Sequence, residues 1–230
     1  MITDLQEVLS TNIKGMKRSA IRELLKYLGT PGLISFSGGF PSPLTFPTED
    51  LKQIMMEVMD TEAASALQYG ATEGDMLLRT LLAERYKSQG VDISVDNLII
   101  TTASQQALDL IAKMFIDRGD YVIVGLPSYL GGLSAFNSYG AQMIGIPMDE
   151  EGEDPAVLEA ELIKLKNMGK KPKFIYLIPD FQNPAGVTMT EKRRKEIIAL
   201  AHKYDVLILE DSPYRELRYE GETQKTMYEL

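Results

Sequence analysis

Three stretches of this sequence carry side chains that do chemistry, and each follows an apolar run of strand length. Val206 to Leu209 ends in Glu210, Asp211, Pro213 and Tyr214. Phe174 to Ile178 leads into Asp180, Gln182, Asn183 and Pro184, and Tyr121 to Val124 leads into Pro127, Ser128 and Tyr129. An acid at the end of a buried strand needs a cationic partner to offset its desolvation. Asp211 is such an acid, and a protonated ring nitrogen of a bound cofactor is such a partner. Pro184 keeps Asn183 out of the helical region, so its amide projects from a fixed turn; the same Asn-Pro pair is also an ordinary turn former. Tyr129 reads either as a surface for stacking a flat ligand or as a packed residue with a wet hydroxyl.

A fourth stretch, Ala103-Ser104-Gln105-Gln106, lies where an apolar run gives way to a helical pattern. Backbone N–H groups and a hydroxyl at a helix N-terminus suit a phosphate; the simpler reading makes Ser104 the helix N-cap. Neither a glycine-rich dinucleotide fingerprint nor a Walker loop is present. A phosphate cup, a flat aromatic ring, an amide, a phenol (Tyr214) and a buried acid together match a phosphorylated cofactor with a ring nitrogen.

The elements that must position these residues alternate in type. Strands are predicted at 98–102, 121–124, 142–146, 174–178 and 206–209, with helices at 104–115, 128–138, 155–166 and 191–202. Strands separated by helices imply crossovers, hence an α/β fold: a mostly parallel sheet with helices on both faces in three layers. Ahead of this region, residues 1–17 read as a polar arm, Ser19 caps a helix over 20–28, and Leu33 to Phe36 runs extended into a turn. Thr48 caps a helix with Leu51, Ile54, Met55, Val58 and Met59 on one face, and another helix covers 75–88. The expected division is an N-terminal arm with part of a small domain over 1–45, then a large cofactor-binding domain, incomplete at its C-terminus, over 46–230. The acids Asp149, Glu150, Glu151, Glu153 and Asp154 read as a solvated loop, and His202 as a favourable charge near a helix end.

Composition narrows the function. The 230 residues carry a net charge of −9 with no basic patch, which argues against nucleic acid as a partner. There is no cysteine, hence no disulfide framework or thiolate metal site, and no metal-ligand spacing is evident. Lacking an apolar run of membrane-spanning length or a signal pattern, the chain is expected to be cytoplasmic.

The ordered set I-S-F-S-G-G-F-P, L-Q-Y-G-A-T-E-G, S-Q-Q-A-L-D-L, P-S-Y, Q-N-P-A-G and E-D-S-P-Y-R resembles the class I/II pyridoxal-phosphate aminotransferases over essentially the whole chain. It is most similar to the branch acting on 2-aminoadipate, kynurenine and aromatic or branched amino acids. The resemblance implies pyridoxal 5'-phosphate as cofactor, amino acid and 2-oxo acid as substrates, and a homodimer with shared active sites. It implies that Asp211 pairs with the pyridinium nitrogen, that Asn183 and Tyr214 bond the ring's phenolic oxygen, and that Tyr129 stacks on the ring. Ser104 and Gln105 would hold the phosphate, and Tyr69 would reach the phosphate of the neighbouring subunit. Gly39, Asn183 and Arg22 would meet the substrate. Arg22 reads equally as a solvated charge on an amphipathic helix.

The family also needs a lysine that forms a Schiff base with the cofactor. Lys225, the one lysine after Asp211, lacks the serine-rich context and comes too early, so a surface lysine is the better reading. The expectation is an N-terminal portion of an aminotransferase, missing its Schiff-base lysine and inactive by itself. A lyase of the same fold is the nearest enzyme alternative. A non-catalytic fragment that binds cofactor or dimerises is another, and a transcription factor with a related domain is disfavoured by the short, non-basic N-terminal arm.

Overall fold

Five short segments pair into one sheet in this computed structural model, which describes residues 4–16, 26–27, 29–35 and 39–230. They are β1 (Tyr121–Leu126), β2 (Gln142–Asp149), β3 (Gly152–Glu153), β4 (Phe174–Leu177) and β5 (Leu207–Glu210), in the order β3-β2-β1-β4-β5. β2, β1, β4 and β5 are parallel, and only the two-residue β3 runs antiparallel, against β2. Helices α6 (Ala103–Phe115), α7 (Leu130–Ser138), α8 (Pro155–Asn167) and α9 (Glu191–Tyr204) accompany it.

Strand side chains alternate between faces, and here the alternation sorts the core in two. Ile123, Ile175 and Leu177 pack with Leu158 and Leu162 of α8 and Ile197 and Ala201 of α9. Val122, Val124, Phe174 and Tyr176 pack with Leu108 and Ala112 of α6 and Ala135 and Phe136 of α7. Helices therefore cover both faces, and the three-layer expectation holds. Because the chain goes from β1 outward to β2 and then returns to lay β4 on the other side of β1, the strand order reverses between β1 and β4. Ligands of open α/β sheets bind at the carboxyl ends of strands beside such a reversal.

The chain divides into two compact units, Met1–Met16 with Thr101–Leu230, and Lys17–Ile100. In the first, the expected arm contains two short helices, α1 (Leu5–Val8) and α2 (Thr11–Gly15). They are tied down by Arg118 donating to Asn12 and by Asn137 donating to the Gly15 carbonyl. The second unit holds α3 (Thr48–Thr61), α4 (Ala63–Ala66) and α5 (Met76–Ser88). Asp75 caps α5 by accepting from the Leu78 N–H at 2.8 Å. At Gly74, φ is +100° and a Cβ would stand 2.6 Å from the Ile100 side chain, so only glycine fits. The predicted helix 20–28 lies largely outside the described residues.

Four expectations are corrected. Residues 98–102 form no strand: the Ile100 N–H goes to the Glu73 carbonyl, and an extended run without a ladder partner is only a connector. Thr48 is the first residue of α3 and makes no cap; Pro47 precedes it as the capping residue without a side-chain bond. Ser104 does not cap α6, because the helix begins at Ala103 and Thr102 takes the cap position. The acidic run 149–154 is solvated only in part: Asp149, Glu150 and Glu151 are exposed, and the correction concerns Glu153. Glu153 is buried at 3% exposure, and Arg193 gathers Asp149, Glu151 and the carbonyls of Gly152 and Glu153 around its guanidinium.

Candidate active site

The residues singled out for chemistry within the first unit stand at the carboxyl ends of β1, β4 and β5 and at the start of α6. Asp211 directly follows β5, and its N–H donates to the Leu177 carbonyl at the end of β4. Its carboxylate is half-buried and accepts a hydrogen bond from Tyr176 Oη at 2.8 Å. Burial pushes the Asp211 carboxyl up, against the pull of that bond downward. Among the described residues no cation pairs with it. It is an acid that lacks the positive partner its burial calls for.

Tyr176 is wholly buried, and sequence reasoning treated it only as part of a strand. Burial first, then the neighbouring Asp211 charge and hydrogen bond, raise its phenol far above the ordinary tyrosine range, so it keeps its proton and donates it to the carboxylate. The signal was available: a tyrosine inside Phe-Ile-Tyr-Leu-Ile must find a partner for its hydroxyl. Tyr176 sits beside Leu209 in the parallel register. Asp211, two residues further on, therefore shares its face.

The loop between β4 and α9 presents Asn183, whose Nδ2 donates to Tyr214 Oη at 3.4 Å. An amide and a phenol thus stand together, as expected for two groups converging on one ligand oxygen. Gln182, buried at 4% exposure, fixes this loop: Nε2 donates to the Pro127 carbonyl and Oε1 accepts from the Ala185 N–H, both at 2.8 Å. Below it, Arg194 and Asp180 form an ion pair at 3.0 Å with neither side chain exposed. Arg194 also donates to the carbonyls of Met189, Pro179 and Lys225. Arg218 adds a second contact to Asp180 and lies 4.7 Å from the centre of the Phe181 ring.

At the start of α6, Thr102 offers no side-chain cap and Ala103 adopts φ +56°, in the left-handed region. First-turn N–H groups there lack a side-chain acceptor, which is the condition an anion exploits. Gln105 donates to the Gly131 carbonyl at 3.1 Å and accepts from Tyr129 Oη at 3.4 Å, linking this helix to the loop after β1. Gly131 makes the approach feasible, since a Cβ there would stand 2.4 Å from Tyr129 Oη and 2.5 Å from Gln105 Oε1.

Gly39, at φ +58°, and Tyr69, fully exposed, belong to the other unit. Arg22 lies outside the described residues. Lys225 is exposed; the hydrogen bond and charge of Lys195 hold the Glu191 carboxyl below its ordinary range, with the Lys225 charge adding to them. His202 is exposed in the last turn of α9.

The donor set fits pyridoxal 5'-phosphate: first-turn helix N–H groups without a side-chain cap for a phosphate, a carboxylate without a cation for a ring nitrogen, and an amide with a phenol for an oxygen. The profile of the family "Aminotransferase class I and II" matches residues 32–228. The chain is 49% identical over 223 residues to aromatic-amino-acid aminotransferase 1 of Thermococcus litoralis, covering 96% of this chain and 54% of that protein. It is 38% identical over 215 residues to the 2-aminoadipate transaminase of Thermus thermophilus, covering 94% and 52%. The crystal structure of Pyrococcus horikoshii kynurenine aminotransferase in complex with PMP superposes with a TM-score of 0.90 at 46% identity, over 99% of this chain and 56% of that one. The chain thus spans about half the length of the relatives it matches. By its profile and its fold, it belongs to the class I and II aminotransferases.

Proposed function

We propose that this chain supplies the cofactor-binding part of a pyridoxal 5'-phosphate-dependent aminotransferase. The enzyme would move an amino group from an aminoadipate, aromatic or branched-chain type of amino acid to a 2-oxo acid. The substrate class rests on the names of the relatives. The observation that carries the reading is Asp211, half-buried and without a cation, on the edge that also presents Asn183 and Tyr214.

The bound cofactor supplies an electron-withdrawing ring that accepts the electron pair left when the substrate loses a proton. Asp211 holds a proton on the ring nitrogen, because a carboxylate in a low-dielectric site stabilises an adjacent cation. Asn183 and Tyr214 orient the ring by donating to its oxygen, and Tyr129 covers its face. Ser104 and Gln105, with the N–H groups opening α6, hold the phosphate. Gly39, Asn183 and Arg22 are assigned to the substrate. We assign the Schiff-base role to no residue of this chain, and expect no turnover from these 230 residues by themselves.

Tyr69 is assigned to the phosphate of a second copy. Its full exposure, and the exposure of Leu51, Ile54, Met55 and Met59 along α3, favour a homodimer. A cytoplasmic setting goes with the absence of cysteine, and no helix of the described residues is long and apolar enough to cross a membrane.

Calorimetric titration with pyridoxal 5'-phosphate tests the reading. Binding that weakens at least tenfold in Asp211→Asn supports it; equal affinity of the two proteins would overturn it.

A further inference from the structure

The cofactor reading accounts for Asp211 but leaves Tyr176 without a task. Its ring is wedged edge-on against Phe136, with centroids 5.2 Å apart, and is wholly buried. Its hydroxyl has one partner, Asp211 Oδ2, at 2.8 Å. The fold keeps space for it: a Cβ on Gly132 would stand 3.0 Å from both Cζ and Oη of Tyr176. A hydroxyl embedded in an apolar core is costly unless bonded. Its position is held by helix, strand and ring packing together.

We propose that Tyr176 is a positioning residue for Asp211: it engages one carboxylate oxygen, keeps the group anionic despite its burial, and leaves the other oxygen to face a cation. This rests on the reading of Asp211 as the partner of a cofactor ring nitrogen. The physical logic is a competition. Burial favours the neutral acid, and a donor fixed on the carboxylate favours the anion. Among the described residues no lysine or arginine assists, so the phenol carries that task. The groups around the pair are Tyr129, from the loop after β1, and Tyr214, from the loop of Asp211 itself; both act on the Tyr176 hydroxyl. A neutral Asp211 could not stabilise a protonated ring nitrogen, so the hydroxyl sets the pH range over which the acid can serve.

The test is a 13C NMR titration of the Asp211 carboxyl in the cofactor-free 230-residue chain, comparing wild type with Tyr176→Phe. Removal of the hydroxyl should raise the midpoint by roughly one pH unit, the worth of a hydrogen bond to a charged group. An unchanged or lowered midpoint would overturn the proposal. Gly132→Ala guards against a phenylalanine variant that fails to fold, because it crowds the hydroxyl without deleting it; a smaller upward shift is expected, and none would count against the proposal. The cofactor reading is tested separately, by binding of pyridoxal 5'-phosphate to Asp211→Asn. A shifted midpoint with undiminished cofactor binding in that variant would leave the Tyr176–Asp211 link standing and remove the cofactor reading.

Discussion

Gln182 spans the point where the strand order reverses: its side chain joins the Pro127 carbonyl after β1 to the Ala185 N–H after β4. Two loops from different strands are held as one rigid edge by a single buried amide. Replacing it with leucine leaves a carbonyl and an N–H without their partner, at about 1–3 kcal/mol. Urea unfolding should register that loss. Gln182→Glu, which keeps the acceptor and loses the donor, should fall between leucine and wild type.

The buried pair of Arg194 and Asp180 is expected to matter more. Truncating one partner of a buried ion pair typically costs about 3–5 kcal/mol, and without Arg194 the buried Asp180 keeps only its 3.3 Å contact to Arg218. Arg194→Met should show a cost of that order in denaturant, and Asp180→Asn less, since an amide still accepts from arginine. Equal stability of Arg194→Met and wild type would contradict the burial of both groups.

Glu153 predicts a pH dependence. Its Oε1 has no hydrogen-bond partner among the described residues, and burial pushes the carboxyl up to about 7, beyond the opposing pull of a backbone hydrogen bond and of the Arg193 charge. A folded-state pKa above the unfolded value of 4.5 means that the folded chain binds more protons between those two values. The stabilising contribution is complete below pH 4.5 and is lost as pH rises through about 7. Glu210 and Asp211 are also raised and act in the same direction, so the difference between wild type and Glu153→Gln isolates this group. The glutamine variant should gain on wild type across that window, by on the order of 2 kcal/mol at neutral pH.

Gly131 offers a test of the link between α6 and the loop after β1. Alanine there would drive a methyl into both Tyr129 Oη and Gln105 Oε1 and separate them. Affinity for pyridoxal 5'-phosphate should fall about fivefold, the worth of one neutral hydrogen bond. Stability should change little if the loop moves outward. An unaltered affinity would remove Tyr129 and Gln105 from the binding edge.

The layered architecture was legible because apolar runs such as Tyr121 to Val124 and Phe174 to Ile178 are strand-length and are separated by helix-length amphipathic segments. Candidate site residues could be picked out because they follow those runs directly. What escaped the sequence depends on pairing register and on distant neighbours. Tyr176 and Asp211 are 35 positions apart and meet only through the parallel ladder of β4 and β5. Glu153 sat in an acidic run whose composition suggested solvent, and it is buried because Arg193, 40 positions away, draws that backbone inward. Leu98 to Thr102 has strand composition, but composition cannot supply a neighbouring strand.

Arg194 grips the segment after β5 through the carbonyl of Lys225 and makes no bond to that side chain. A hold on the main chain is indifferent to what the gripped residue is. Position 225 should therefore accept almost any amino acid over evolutionary time, whereas position 194 should stay arginine, a contrast that comparison of homologous sequences would expose.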